Sequence, residues 1–142
     1  MAQKNRRQRR LEPRAGGAQW RRGQRISGSV ERFFEHLSAR DWAALHDDLA
    51  ADVERVGPFG DRVSGRERYL AMLEEAVPAD YGNDVHLVTY AADNRAAFAR
   101  VTEHLGYPDR TLHLEEAYAF GLDGAGLVTR VEVFWQTPHD AR

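Results

Sequence analysis

Between Ser29 and Leu49 apolar side chains recur every third or fourth position, whereas from Asp84 onward they recur at every second one. That change of period divides the chain into a helical part followed by a strand-rich part. Val30, Phe33, Phe34 and Leu37 form one stripe of a first helix, with Ser29 placed to cap it. Asp41 caps a shorter helix carrying Trp42, Leu45 and Leu49, and a tight turn at Ala39-Arg40 folds the pair into a hairpin. Val53 and Val56 then suit a short strand, which Gly57-Pro58-Phe59-Gly60 ends. Ser64-Gly65-Arg66-Glu67 has the spacing of a capping box, so a third helix is predicted from about Arg66, with Tyr69, Leu70, Met72 and Leu73 on its apolar face and Pro78 as its limit. Four strand-like runs follow, DVHLVTYA, AAFARVTEHLG, TLHLEEAYAFGL and LVTRVEVFWQ, separated by Asp93-Asn94, Gly106-Tyr107-Pro108-Asp109 and Asp123-Gly124-Ala125-Gly126. Such short connections make neighbouring strands antiparallel. Three helices followed by a four-stranded meander give an α+β plan, with helices covering one face of a curved sheet.

Composition sharpens this picture. The 142 residues suit one domain, and the absence of cysteine excludes disulfides, thiolate metal sites and a cysteine nucleophile. Apolar runs are only a few residues long, far short of the roughly 20 that cross a bilayer, and the N-terminus lacks the apolar stretch of a signal peptide. A soluble, cytoplasmic protein without membrane contact is expected. Charge is unevenly divided. Residues 1–25 hold nine Lys and Arg against Glu12 alone, a net of +8, whereas from residue 26 onward 11 Arg face 21 Asp and Glu, a net of −10. The expectation is a mobile basic tail over residues 1–26, a single domain over 27–138 and a short tail at 139–142. Clustered Arg with Trp20 suits an arm that contacts nucleic acid, while a solvated extension docking on its own acidic domain is the plainer alternative. A later start codon would omit the segment altogether.

The order of a helix, a second helix RDWAALHDDLAADV, a short strand, GPFGDRVSGRERYLAML and a meander ending GLDGAGLVTRVEVFWQTP resembles the nuclear transport factor 2-like superfamily. It is most similar to the SnoaL-like, ketosteroid-isomerase-like branch. The resemblance implies a cone-shaped roll, three N-terminal helices packed on a curved, mainly antiparallel sheet that encloses an apolar pocket, with a homodimer formed through the outer sheet face. It does not imply one activity, because the scaffold hosts isomerases, cyclases, epoxide hydrolases, dehydratases and proteins without catalysis. The carboxylate base of the isomerases falls on Gly57, and their helix-1 tyrosine on Phe33. Their protonated carboxylic acid falls near Glu116 or Tyr118. Of the epoxide hydrolase set, Arg100 matches the arginine, but the aspartate positions are Thr102 and Val133. Neither constellation is intact.

The same resemblance implies that Phe98, Arg100, Thr102 and His104 point inward on one strand, Leu114, Glu116, Tyr118 and Phe120 on the next, and Val131, Val133 and Trp135 on the last. Glu103, Arg130 and Glu132 then alternate outward with Val101 and Phe134, a mixed surface suited to a dimer. On this reading Glu116 is a general acid or base with His104 as partner, and Arg100 or Tyr118 orients an oxygen. Thr102, Phe33, Phe59, Phe98, Phe120, Val133 and Trp135 line the ligand alongside Tyr118. The competing reading is an internal salt bridge that stitches strands together and catalyses nothing, or a register slip that exposes the whole set. His36 and His46 fit surface or boundary positions. His104, His113 and Glu116 have no metal-motif spacing, so neither metal nor cofactor is expected. GLDGAG lies between two strand runs with no helix after it, so it reads as a hairpin turn. The expected function is binding of a small, mostly apolar organic molecule. The alternatives are an isomerase, cyclase or lyase working through Glu116, and a non-catalytic dimeric module with a nucleic-acid-contacting tail.

Overall fold

The computed structural model describes residues 28–136. The basic tail, with the nucleic-acid role expected of it, and the C-terminal segment 139–142 lie outside the described residues. Helix α1 spans Ser29–Ser38, α2 Trp42–Asp48 and α3 Arg66–Ala76. The strands are β1 Leu49–Val56, β2 Arg62–Ser64, β3 Asp80–Tyr90, β4 Ala96–Tyr107, β5 Arg110–Leu122 and β6 Val128–Trp135. They form one six-stranded sheet in the order β2-β1-β6-β5-β4-β3, antiparallel except where β1 runs parallel to β6. No helix among the described residues is long and apolar enough to cross a membrane.

The helices cover one face of this sheet. Phe33 and Phe34 of α1, both essentially fully buried, meet Phe120 and Tyr118 of β5 edge-on at centroid distances of 5.3 and 4.9 Å respectively. Edge-to-face aromatic packing adds to the apolar area that such residues remove from water. The sheet beneath them is lined by Ala97, Ala99 and Val101 of β4, small side chains that leave room for the rings. Arg40 fastens the α1–α2 turn to the end of α3 by donating to the carbonyl oxygens of Val77 and Pro78. His36 Nδ1, 2.6 Å from Asp48 Oδ2, ties the two arms of the helical hairpin together.

Four local expectations need correction. Ser29 lies inside α1 rather than capping it. Gly28, at φ 80°, takes the cap position, and Ser29 Oγ instead donates to Gly126 O at 2.8 Å, pinning the helix to the β5–β6 hairpin. The Ser64 capping box does not form, because Ser64 is spent in β2 opposite Glu54 and Gly65, at φ 96°, makes the left-handed turn into α3. Leu49 opens β1 instead of closing α2, and β3 starts at Asp80, ahead of the apolar run. β3 also carries a bulge between Val85 and Leu87, which adds local twist to the long β3–β4 pair.

Candidate functional site

Two glutamates interrupt the apolar lining of the helix-covered face. Glu103 of β4 and Glu116 of β5 are only 7% and 6% exposed. Val101 pairs with Glu116 and Glu103 with Leu114, so the two carboxylates are diagonal neighbours on the same face. Burying one ionised carboxylate is costly, and two side by side cannot both stay ionised at small cost.

Glu103 is held by donors. Tyr81 of β3 donates to its Oε2, and Tyr118 of β5 donates to its Oε1 at 3.3 Å. Asn83 keeps Tyr81 in place, donating through Nδ2 to Tyr81 Oη at 3.3 Å and to Phe34 O at 3.0 Å. Burial first, and then the charge of Glu103, pushes both phenols above their ordinary range, so they remain O–H donors. Tyr69 of α3 is raised in the same way, mainly by burial.

Glu116 is treated differently. Burial, then a hydrogen bond with Glu103, then the Glu103 charge push its carboxyl up to about 10, against smaller opposing effects of the Trp135 indole and the Arg55 guanidinium. The Glu116 carboxyl is thus held well above the ordinary carboxylate range by its burial beside tyrosine-bound Glu103. Glu116 Oε1 is shut off from solvent and has no hydrogen-bond partner among the described residues. A buried polar atom without a partner forfeits free energy of about 1–3 kcal/mol, so a water or a ligand group that pairs with this oxygen is stabilising.

Aromatic and apolar side chains surround Glu116. Trp135 stands directly opposite Glu116 in the β5–β6 register and is 43% exposed. Phe59, from the Gly57–Gly60 turn and 80% exposed, meets it edge-on at 4.9 Å. Leu105, Leu112 and Leu114 continue the same sheet face as half-buried side chains. Arg55 reaches the region from β1 and donates to Asp61 Oδ2 at 2.9 Å. A Cβ on Gly57 would fall 2.4 Å from Asp61 Oδ1, so the position expected to carry a base in the isomerases is filled by the Asp61 carboxylate folding back.

The expected residues divide by strand. Glu116, Tyr118, Phe120, Val131 and Val133 lie on the helix-covered face as anticipated, with Leu114 half-buried beside them. β4 is turned over. Ala97, Ala99, Val101 and Glu103 face inward, while Phe98, Arg100, Thr102 and His104 are on the outer face with Phe134, Arg130 and Glu132. Within one chain Arg100, Thr102 and His104 therefore cannot act beside Glu116. The reason is steric: the large α1 rings demand small partners, and the alanine face of β4 supplies them. Phe33 and Phe120 are core. Sequence reasoning missed Glu103, Tyr81, Asn83 and Arg55. Glu103 was legible as the fourth member of the alternating set Ala97-Ala99-Val101-Glu103, whereas Tyr81 and Asn83 flank Gly82 in a segment that lacks any strand signal. Among the described residues no three His, Cys, Asp or Glu side chains are arranged to hold a metal ion.

The fold is α+β, with three helices on one face of a six-stranded, mostly antiparallel sheet. The chain belongs to the SnoaL-like domain family, whose model matches residues 30–131. It is similar to a candidate ketosteroid isomerase from Kribbella flavida, at 28% identity over 81% of this chain and 80% of that one, with a TM-score of 0.67. An LEH-like epoxide hydrolase of Mycobacterium tuberculosis aligns over 76% of this chain and 80% of its own at 19% identity and a TM-score of 0.67. Another M. tuberculosis protein, solved in complex with estradiol-17β-hemisuccinate, aligns over 76% of this chain and 91% of its own at 16% identity and a TM-score of 0.68. The last two likenesses are to the fold alone. No curated protein matches the chain in sequence.

Proposed function

We propose that this protein binds a small, mostly apolar organic molecule bearing an uncharged oxygen, and that Glu116, whose O–H faces Glu103 in the free site, turns that proton to the ligand oxygen on binding. One observation carries the reading: two buried carboxyls lie side by side, Glu103 held by Tyr81 and Tyr118 and Glu116 pushed up by burial and by Glu103. A negatively charged ligand group would be repelled by Glu103, whereas a ketone, ether or hydroxyl oxygen accepts the Glu116 O–H at no such cost. The Phe59–Trp135 pair supplies aromatic surface for the remainder of the molecule. The complex of a fold relative with estradiol-17β-hemisuccinate supports a mostly apolar ligand.

Donation of that proton as charge builds on the ligand oxygen is the acid half of a cofactor-independent isomerisation, cyclisation or elimination, and recovery of the proton from the product closes the cycle. The testing experiment is native mass spectrometry of the full chain with a panel of neutral ketones and steroids, followed by assay of any retained ligand with Glu116→Gln. The enzyme reading expects retained binding and lost turnover in that variant. Binding with no Glu116-dependent product would leave a non-catalytic carrier, and no retained neutral ligand anywhere in the panel would reject the reading. The part of the outer face nearer the β5–β6 turn, with Leu87, Phe98 and Phe134 about half exposed and away from the His104–His113 row, is proposed as the surface where a second copy packs.

A further inference from the structure

The outer face also carries a cluster that the proposed ligand site does not use. His104 of β4 and His113 of β5 are direct cross-strand partners. Their Nδ1 atoms lie 2.8 Å apart, with the ring planes at 89°. Asp84 of β3 fixes the tautomer of the first ring: its Oδ2 lies 3.2 Å from His104 Nε2 and accepts that N–H, which leaves His104 Nδ1 as a bare lone pair. His113 then donates its own Nδ1–H into the gap. A carboxylate that accepts one ring N–H and leaves the other nitrogen free to act as a ligand is the arrangement found behind metal-binding histidines.

We propose that His104 and His113 chelate a first-row divalent transition ion of the zinc class through their Nδ1 atoms. At Zn–N distances of about 2.0–2.1 Å, a tetrahedral ion needs its two nitrogens about 3.3 Å apart, so the rings separate by only about half an ångström. His113 shifts its proton to its outward-facing Nε2 and frees the second lone pair. Asp84 stays behind His104 as the orienting carboxylate. Glu115, the nearest other acid along β5, is already engaged by Thr102 Oγ1 at 3.0 Å, so water completes the coordination and the ion keeps open positions. Glu116 faces the opposite side of the sheet, which makes this site independent of the ligand site.

The test is titration of the full chain with Co²⁺ and Zn²⁺, read by cobalt ligand-field absorption and by calorimetry. One ion per chain is expected, with binding abolished by His104→Gln and by His113→Gln. Asp84→Asn is expected to weaken it about tenfold or more. His46→Gln, on the helical side beside Asp47 and Glu67, leaves it unchanged. In the wild-type protein, imidazole ¹⁵N shifts should identify Nδ1 as the ligating atom of both rings, a readout that needs no variant. Absence of saturable binding, or binding that survives both histidine substitutions, would overturn the proposal.

Discussion

Replacing Glu116 with Gln removes the titrating proton and keeps the shape of the neutral carboxyl. The folded carboxyl is pushed from 4.5 to about 10, so between those values the folded state holds a proton that the unfolded state has lost. The stability change with pH follows the difference in bound protons and is therefore negative: the wild-type protein loses stability as pH rises through this window. The ceiling on that slope is about 1.4 kcal/mol per pH unit. From pH 5.5 to 7.5 this amounts to at most about 3 kcal/mol, or about 10 °C in Tm for a domain of this size. Other titrating groups are common to both proteins, so the difference between two thermal melting series isolates the pair. Wild type minus Glu116→Gln should fall with pH, and the variant should be the more stable protein at pH 8. Parallel melting curves, or a difference that rises with pH, would refute the raised Glu116 carboxyl.

Tyr81→Phe should cost about 1–3 kcal/mol in urea unfolding by leaving Glu103 Oε2 without its donor. Phe34→Ala should cost about 3–5 kcal/mol by opening a cavity against Tyr118 and Phe120, with no change in the pH slope. Gly57→Asp should destabilise by about 1–2 kcal/mol, since its Cβ displaces Asp61 and the Arg55 pair and sets two carboxylates together, and Asp61→Ala in the same chain should restore much of the loss. Phe98→Asp should abolish self-association in sedimentation without altering the melting behaviour of the monomer, if a second copy packs on the outer face.

The fold was largely legible because the signals lie in periodicity. The 3.6-residue stripe of α1, the cap at Asp41, whose side chain accepts from Ala44 N at 3.1 Å, and the four alternating runs all reappear as elements. The parallel pairing of β1 with β6 joins residues far apart in sequence and leaves no local mark. The site was half legible. On β5 the alternation of Glu116, Tyr118 and Phe120 admits one buried face. On β4 either face is periodic, and the choice depends on side-chain volume across the helix–sheet interface rather than on polarity. Taking Phe98 as the inward residue hid Glu103, and with it the neighbour that, after burial, pushes the Glu116 carboxyl up. Tyr81 and Asn83 precede the apolar run of β3, where Gly82 breaks the pattern that would have drawn attention to them.

The most direct test of the central claim is carbon NMR of side-chain carboxyls in protein labelled at glutamate Cδ, titrated from pH 3 to 9. One resonance should keep the shift of a protonated acid at pH 7 and vanish in Glu116→Gln, while Glu103→Gln should bring the Glu116 titration down toward the ordinary range. If every glutamate titrates in the ordinary carboxylate range, between about 3 and 5, the Glu116 carboxyl is not raised and the proposed donor does not exist.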